Sequence, residues 1–160
     1  MAAPDLDDFY RRYAPVAYRR ARHLLGNEDD ARELVHDVFA SLLDRPEQFR
    51  GKSSLTTFMY SAVTHACLNR LRNQRNRARL LQQGMPEERE SPQVRSAEAL
   101  ASLRSLLARM PEDLATVAIY YHGEGLTHDD IARILECSPR HVGNLVARVR
   151  HFIERQEAQP

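Results

Sequence analysis

Apolar residues recur at intervals of three and four along most of the chain, and this spacing constrains the fold more than any other feature. In the first such segment the apolar positions are Leu6, Phe9, Tyr13, Val16, Ala17 and Leu24. These intervals match the 3.6-residue turn of an α-helix, and Gly26 is a natural C-terminal stop. Alternating β-branched runs and Asn-Gly turns, which would indicate strands, are almost absent. The sequence therefore predicts an all-α fold.

Polar residues mark where the next helices begin and end. Asn27 is expected to cap a second helix, with Asp29 and Asp30 in its positive first turn. Its predicted core stripe is Ala31, Leu34, Val35, Val38 and Leu42. Pro46 ends this helix because the residue before a proline disfavours the helical conformation. Residues 49–54 then form a loop that closes on a serine cap, followed by a long helix reaching about Gln83.

Residues 83–97 separate two halves of the chain. They contain a glycine and two prolines and show no apolar periodicity, which is typical of a flexible linker. We therefore predict two small helical domains, at residues 1–82 and 98–160, joined by the linker 83–97. The second domain is expected to contain about four helices.

The last two predicted helices have the pattern of a helix-turn-helix. Thr127 and Asp130 form a capping pair that opens one helix, and Pro139 lies in the first turn of the next. A helix-turn-helix needs a small residue where the second helix crosses the first, and Ala132 supplies it. The expected apolar neighbours are Ile131, Leu135, Val142 and Leu145.

The outward face of the second helix carries hydrogen-bond donors. Its residues are Arg140, His141, Asn144 and Arg148, with Gly143 allowing close backbone approach. Arginine and asparagine suit bidentate bonds with guanine and adenine edges in the DNA major groove. A solvated face on an ordinary helical hairpin is the plainer interpretation of this segment alone.

A net charge of +1 conceals strong segregation of charge along the chain. Residues 50–86 contain no Asp or Glu, and their basic residues are Arg50, Lys52, Arg70, Arg72, Arg75, Arg77 and Arg79. Residues 28–47 are acidic in contrast, and the outer face of their helix shows Glu33, His36, Asp37 and Asp44. Opposed blocks indicate two partners of opposite charge, and the arginines suit a phosphate backbone.

Aromatic residues precede the arginine run. Phe58 and Tyr60, with Phe49 nearby, lie next to positive charge, an arrangement that single-stranded or melted DNA requires because unstacked bases pack on rings. Phe58 is equally compatible with a core position. Tyr60 is expected to be the more exposed ring.

Three ordered motifs resemble those of bacterial extracytoplasmic-function (ECF) sigma factors, over nearly the whole chain. They are NEDDARELVHDVFASLL, FRGKSSLTTFMYSAVTHACLNRLRN and the segment from MPEDLATVAIYY to LVARVRHFI. The resemblance implies that the first binds the clamp coiled coil of core RNA polymerase. It also implies that the second melts and captures the promoter −10 element and that the third reads the −35 element. The polymerase flap and an anti-sigma factor are the other partners it implies.

Residue roles follow from the same resemblance. Glu33, His36 and Asp37 would face the polymerase. Tyr60, His65, Asn69 and Arg72 would lie at or near the −10 DNA, and Arg140, His141, Asn144 and Arg148 would face the −35 DNA. The pattern of aromatic and basic residues adds Phe58, Arg70 and Arg75 to the predicted −10 contacts.

Several positions depart from the family pattern. Phe58 replaces the usual Trp, His36 the usual Gln, His65 the usual Asn and Asn69 the usual Asp. Glu136 stands where the turn of the helix-turn-helix usually has Gly, which predicts either slight backbone strain or a different turn conformation there.

The sequence also bears on other functional classes. The seven histidines form no ligand-spaced motif, and there is no phosphate-binding glycine loop or nucleophile motif, so we predict neither enzyme activity, nor a cofactor, nor a metal. Metal sensing through His122, His128 and Cys137 is an alternative. A sigma-like decoy that sequesters an anti-sigma factor is a second, and a polymerase-independent helix-turn-helix regulator is a third. No secretion signal or membrane span is recognised, and the two cysteines are expected to be reduced, so the predicted location is cytoplasmic.

Overall fold

A computed structural model of the chain describes residues 5–51, 54–81 and 92–159. Seven α-helices run through these residues: Leu6–Leu25 (α1), Glu28–Asp44 (α2), Leu55–Leu81 (α3), Pro92–Arg109 (α4), Glu112–Ala118 (α5), His128–Leu135 (α6) and Pro139–Glu157 (α7). A 3-10 turn at Pro46–Gln48 follows α2, and a π-helical turn at Ile119–Gly123 follows α5. None of the described residues forms a β-strand. The predicted all-α class is confirmed.

The helices fall into two compact units, Met1–Cys67 and Leu68–Pro160, and the boundary lies inside α3. Of the predicted linker, residues 83–91 lie outside the described residues. Residues 92–97 differ from the prediction because they form the first turns of α4. Pro92 is tolerated there because the backbone N–H groups of the first helical residues have no intrahelical acceptor, so proline loses no hydrogen bond. The domain limits at residues 82 and 98 stay a prediction.

The predicted caps are confirmed where the chain is described. Gly26 ends α1 in the left-handed conformation, and its backbone N–H donates to the carbonyl of Arg22 at 2.8 Å. The Asn27 side chain accepts from the Asp30 backbone N–H at 3.0 Å, and Ser54 accepts from Thr57 at 3.1 Å. Local sequence therefore sets these three helix ends.

The core of the first unit lies between α1 and α2. The Phe9 ring packs against Phe39 with ring centroids 5.4 Å apart, and Tyr10 packs against the same ring at 4.9 Å. The predicted stripe of α2 is correct at Ala31, Leu34 and Val35, but Phe39 is the fourth buried residue instead of Val38. Val16, one of the periodic apolar positions of α1, is 50% exposed, because Ala17, Ala21 and Leu25 form the buried stripe.

The core of the second unit gathers α5, α6 and α7. Buried residues come from each of these helices, and they are Leu114, Ala115, Val117, Ile131, Ala132, Val142, Leu145, Val146 and Val149. The sequence predicts one helix around residues 114–121. The structure instead has α5 followed by a wider turn, in which the Glu124 N–H donates to the Ile119 carbonyl at 3.0 Å. The core therefore supports α7 along its inner face.

Candidate nucleic-acid interface

The pair α6–α7 has the internal packing of a helix-turn-helix. Ile131, Ala132, Val142 and Leu145 are at most 5% exposed, as the spacing predicts, whereas Leu135 is half-buried. Thr127 and Asp130 form the complete capping box, with the Asp130 N–H donating to the Thr127 hydroxyl at 3.1 Å. Packing and caps thus position the start of α7.

Hydrogen bonds from Thr127 lower the pKa of the Asp130 carboxyl below its ordinary value. A carboxylate with a lowered pKa stabilises the folded state above its unfolded pKa. The capping contribution is therefore present at neutral pH and is lost as the pH falls through the lowered pKa.

The four predicted donors of α7 share one exposed face. Arg140, His141, Asn144 and Arg148 are all exposed and, at 3.6 residues per turn, lie within about a third of the helix circumference. Arg140 and His141 belong to the first turn, after the Ser138 cap, whose hydroxyl accepts from the His141 N–H at 3.1 Å. The first turn of a recognition helix is the part that contacts base edges. Arg148 Nη1 also lies 3.4 Å from the Asp113 carboxylate of α5.

Two further basic side chains extend this face and were missed from the sequence. His151 and Arg155 are exposed, and their spacing from Arg140 places both in the same third of α7. The predicted row of donors ends at Arg148, although the same 3.6-residue spacing continues along α7 to both of these residues. They lie too far from the N-terminal turn for base edges and suit phosphates.

The predicted −10 residues of α3 do not share one face. By helical spacing Phe58, His65, Asn69 and Arg72 lie along one side, whereas Tyr60 and Arg70 point elsewhere. His65 and Arg75 are half-buried, and Asn69 is exposed. A single strand cannot contact all of these side chains along one straight path.

The two aromatic residues of α3 are both half-buried. Phe58 packs edge-to-face on Phe49, with ring centroids 5.4 Å apart. Tyr60, expected to be the more exposed ring, lies under the guanidinium of Arg20 from α1, whose Cζ is 3.6 Å from the ring centroid. Lys52, part of the predicted basic block, lies outside the described residues.

Arg72 is engaged within the second unit. Its Nη2 donates to the carbonyl of Met110 at 3.0 Å, and its Nη1 lies 3.8 Å from the Glu112 carboxylate. Only 27% of the Arg72 side chain is exposed. The Arg72 guanidinium can bind a DNA phosphate only if it gives up its contacts with Met110 and Glu112.

The acidic face of α2 is exposed as the sequence predicts. His36 and Asp37 follow Glu33 by three and four residues, so both are its neighbours on the helix surface. Asp44 continues the same side two turns later. We call Glu33, His36, Asp37 and Asp44 the acidic face.

Two family models match the two halves of the chain. Sigma-70 region 2 matches residues 9–77, which include the acidic face and most of α3, and Sigma-70 region 4 matches residues 100–153, which include α6 and most of α7. RNA polymerase sigma factor YlaC of Bacillus subtilis is 28% identical, over 91% of this chain and 87% of that protein. The ECF RNA polymerase sigma-E factor of Haemophilus influenzae is 26% identical, over 80% and 75%. The chain belongs to the ECF sigma factors.

The fold of this sigma factor is also found in a solved structure. It is similar to a chain in the co-crystal structure of the sigma factor RpoE with the anti-sigma factor NepR from Bartonella quintana, with a TM-score of 0.54. The alignment covers 98% of this chain and 99% of that chain at 17% identity, a level that shows the shared fold. As a sigma factor, this protein acts with RNA polymerase in transcription initiation.

Among the described helices of the sigma factor, none is both long and apolar enough to cross a bilayer. The described residues also hold no group of three or more His, Cys, Asp or Glu side chains that could bind a metal ion. In particular, they do not gather His122, His128 and Cys137 into such a site.

The turn of the helix-turn-helix carries the predicted backbone strain. Glu136 has φ 54° and ψ 45°, the left-handed conformation that glycine adopts without cost. We expect Glu136→Gly to stabilise the α6–α7 pair by about 0.5–1 kcal/mol, the relief of strain less the entropy that glycine adds to the unfolded chain. Backbone amides of α6 and α7 should then exchange hydrogen about two- to fivefold more slowly.

The same substitution at a helical glutamate provides the control. Glu154 is exposed within α7, where glycine is a poor helix former, so Glu154→Gly should destabilise by about 1 kcal/mol. Faster exchange in Glu136→Gly would show that the left-handed glutamate is not strained.

Proposed function

We propose that this ECF sigma factor brings core RNA polymerase to promoters through three surfaces. The acidic face of α2 binds the polymerase clamp, α3 captures the melted −10 element, and α7 reads the −35 element. The observation that carries the proposal is the exposed row of donors on α7, braced by α6 and continued by His151 and Arg155.

The −35 contacts follow from the position of each donor on α7. Arg140 and Asn144 lie near the N-terminal end, where bidentate bonds to base edges are possible. Arg148, His151 and Arg155 lie further along the same face and contact phosphates, which fix the register of α7 on the duplex. Arg148 leaves Asp113 to do so. This costs little because the pair is exposed, at 59% and 50% of the two side chains.

The −10 contacts are divided between two sides of α3. Tyr60 offers a ring on which an unstacked base can pack, and Asn69 offers a donor on another side. Arg72 contributes there once it exchanges its contacts with Met110 and Glu112.

Two protein partners, the polymerase clamp and an anti-sigma factor, are each supported by one observation. The acidic face suits a basic surface, as expected of a docking contact with the polymerase clamp. The similarity to RpoE, solved with the anti-sigma factor NepR, supports control by an anti-sigma factor. In this function the polymerase forms the phosphodiester bond, so the sigma factor supplies no chemistry of its own and works in the cytoplasm.

Run-off transcription tests the proposal directly. The purified chain is combined with core RNA polymerase on genomic fragments, including the DNA upstream of its own gene. We expect specific transcripts that depend on the chain and disappear when the −35 or −10 sequence of the fragment is scrambled. Core polymerase without the chain is the matched control.

The alternatives give no transcript in this assay and are distinguished by binding measurements made beside it. A decoy binds an anti-sigma protein and yields no transcript on any fragment, and a polymerase-independent regulator binds duplex DNA unaided. Either result would contradict the proposed function.

A further inference from the structure

One arginine of the first unit contacts both Tyr60 and Thr64. Its guanidinium covers the ring, with Arg20 Cζ 3.6 Å from the centroid. Its Nε and Nη2 both donate to the hydroxyl of Thr64, at 2.9 Å and 2.7 Å. Arg20 lies on α1, whereas Tyr60 and Thr64 lie one turn apart on α3.

The contacts close into a ring. The Thr64 hydroxyl donates to the backbone carbonyl of Tyr60 at 2.8 Å, so Arg20 is linked to both the main chain and the side chain of Tyr60. A hydroxyl has one donor and two acceptor sites, and here all three are used. Thr64 is fully buried, which keeps water from competing for these bonds.

We propose that Arg20 is a positioning residue for Tyr60. Anchored on Thr64, its guanidinium holds the half-buried tyrosine in one orientation, in which the exposed portion of this residue meets an unstacked base of the −10 strand. The inference rests on the proposed role of Tyr60 at the −10 element. It adds a residue that contacts no base itself.

The geometry requires arginine and not only positive charge. A planar guanidinium can stack on a ring while two of its N–H groups point to one acceptor, and a lysine ammonium cannot do both. Arg20→Lys therefore keeps the charge and removes the positioning. If Arg20 acted only by attracting phosphates, lysine would replace it.

Single-stranded oligonucleotides with one abasic position test the inference. Holoenzyme is assembled from core polymerase and the full chain, and its affinity is measured for −10 strands whose bases are removed one at a time. Loss of the base stacked on Tyr60 should weaken wild-type binding about tenfold. Tyr60→Ala should abolish that penalty at one position and so identify it.

Arg20→Ala and Arg20→Lys should reduce the penalty at the same position to less than about threefold, within the range of a partly lost stack. Penalties at other positions and binding to core polymerase should not change. Arg19→Ala, an exposed arginine on the same helix, is the matched control and should behave as wild type.

The outcomes distinguish the proposed −10 role of Tyr60 from the positioning role of Arg20. If Tyr60→Ala has no position-specific effect, the −10 role of Tyr60 fails and the inference falls with it. Suppose that Tyr60→Ala has that effect but Arg20→Lys keeps the full loss of affinity for the abasic strand. The positioning role of Arg20 is then overturned, while the −10 role of Tyr60 stands. The positioning role is equally overturned if Arg20→Ala weakens all strands alike, which would indicate a general structural role.

Discussion

Replacing Arg140 and Arg148 with alanine is expected to remove most −35-dependent transcription. An arginine that contacts a base edge contributes about 1–3 kcal/mol of discrimination, so Arg140→Ala alone should lower use of the preferred −35 sequence by about 5- to 150-fold. Arg140 lies in the first turn of α7, so we expect Arg140→Ala to have the larger effect. Run-off transcription over a set of −35 variants measures both the loss and the relaxed preference.

Contact with a base and contact with a phosphate give different signatures. A lost phosphate contact weakens all −35 sequences alike and reduces the salt dependence of binding by about one counterion. Arg148→Ala should show this second pattern, since Arg148 lies two turns below Arg140. Both side chains are exposed, so folding stability should change by no more than about 0.5 kcal/mol.

Arg150→Ala is the matched control for these variants. Arg150 is also exposed on α7 but points away from the donor face, so transcription should be unchanged. Normal transcription by Arg140→Ala on every −35 variant would show that this face is only solvated.

Reversing Glu33 and Asp37 to lysine is expected to abolish stable assembly with core polymerase. Two repulsive charges placed against a basic surface cost on the order of 2–5 kcal/mol, which corresponds to a loss of affinity of about 30-fold or more. Both residues are exposed on α2, so the helix should stay folded. A pull-down of core polymerase with the variant, at several salt concentrations, measures the effect.

A double reversal on another helix provides the comparison. Glu154 and Glu157 are exposed at the end of α7, where the helix dipole favours positive charge. Glu154→Lys with Glu157→Lys should leave assembly with core polymerase intact. Equal assembly of both double variants would mean that the acidic face takes no part in docking.

Local sequence predicted the helix ends and the interior of the helix-turn-helix. A cap such as Asn27 or Thr127 acts on amides two or three residues away, so its effect can be inferred from neighbouring letters alone. The buried residues Ile131, Ala132 and Val142 follow from the 3.6-residue period, because one face of each helix must be covered. The exposed donors of α7 follow from the same arithmetic.

Contacts across distant segments could not be predicted in this way. Arg20 and Tyr60 are 40 positions apart, and no periodicity connects a residue of α1 with one of α3. The choice of Phe39 over Val38 as the fourth buried residue of α2 depends on the aromatic rings of Phe9 and Tyr10 that pack against it. The hydrogen bond from Arg72 to the Met110 carbonyl likewise joins residues 38 positions apart, and no periodicity of the sequence predicts it.

The wide turn at Ile119–Gly123 contains one residue more than an α-helical turn would, since its bond spans five positions. A relative that lacks this residue can form an uninterrupted α-helix here and bury the same side chains before and after it. Pairwise alignments with such relatives therefore need a one-residue gap inside this turn. If the gap is placed after α7 instead, every residue of α6 and α7 is aligned with a residue one position away from its true counterpart. One position corresponds to about 100° around the helix.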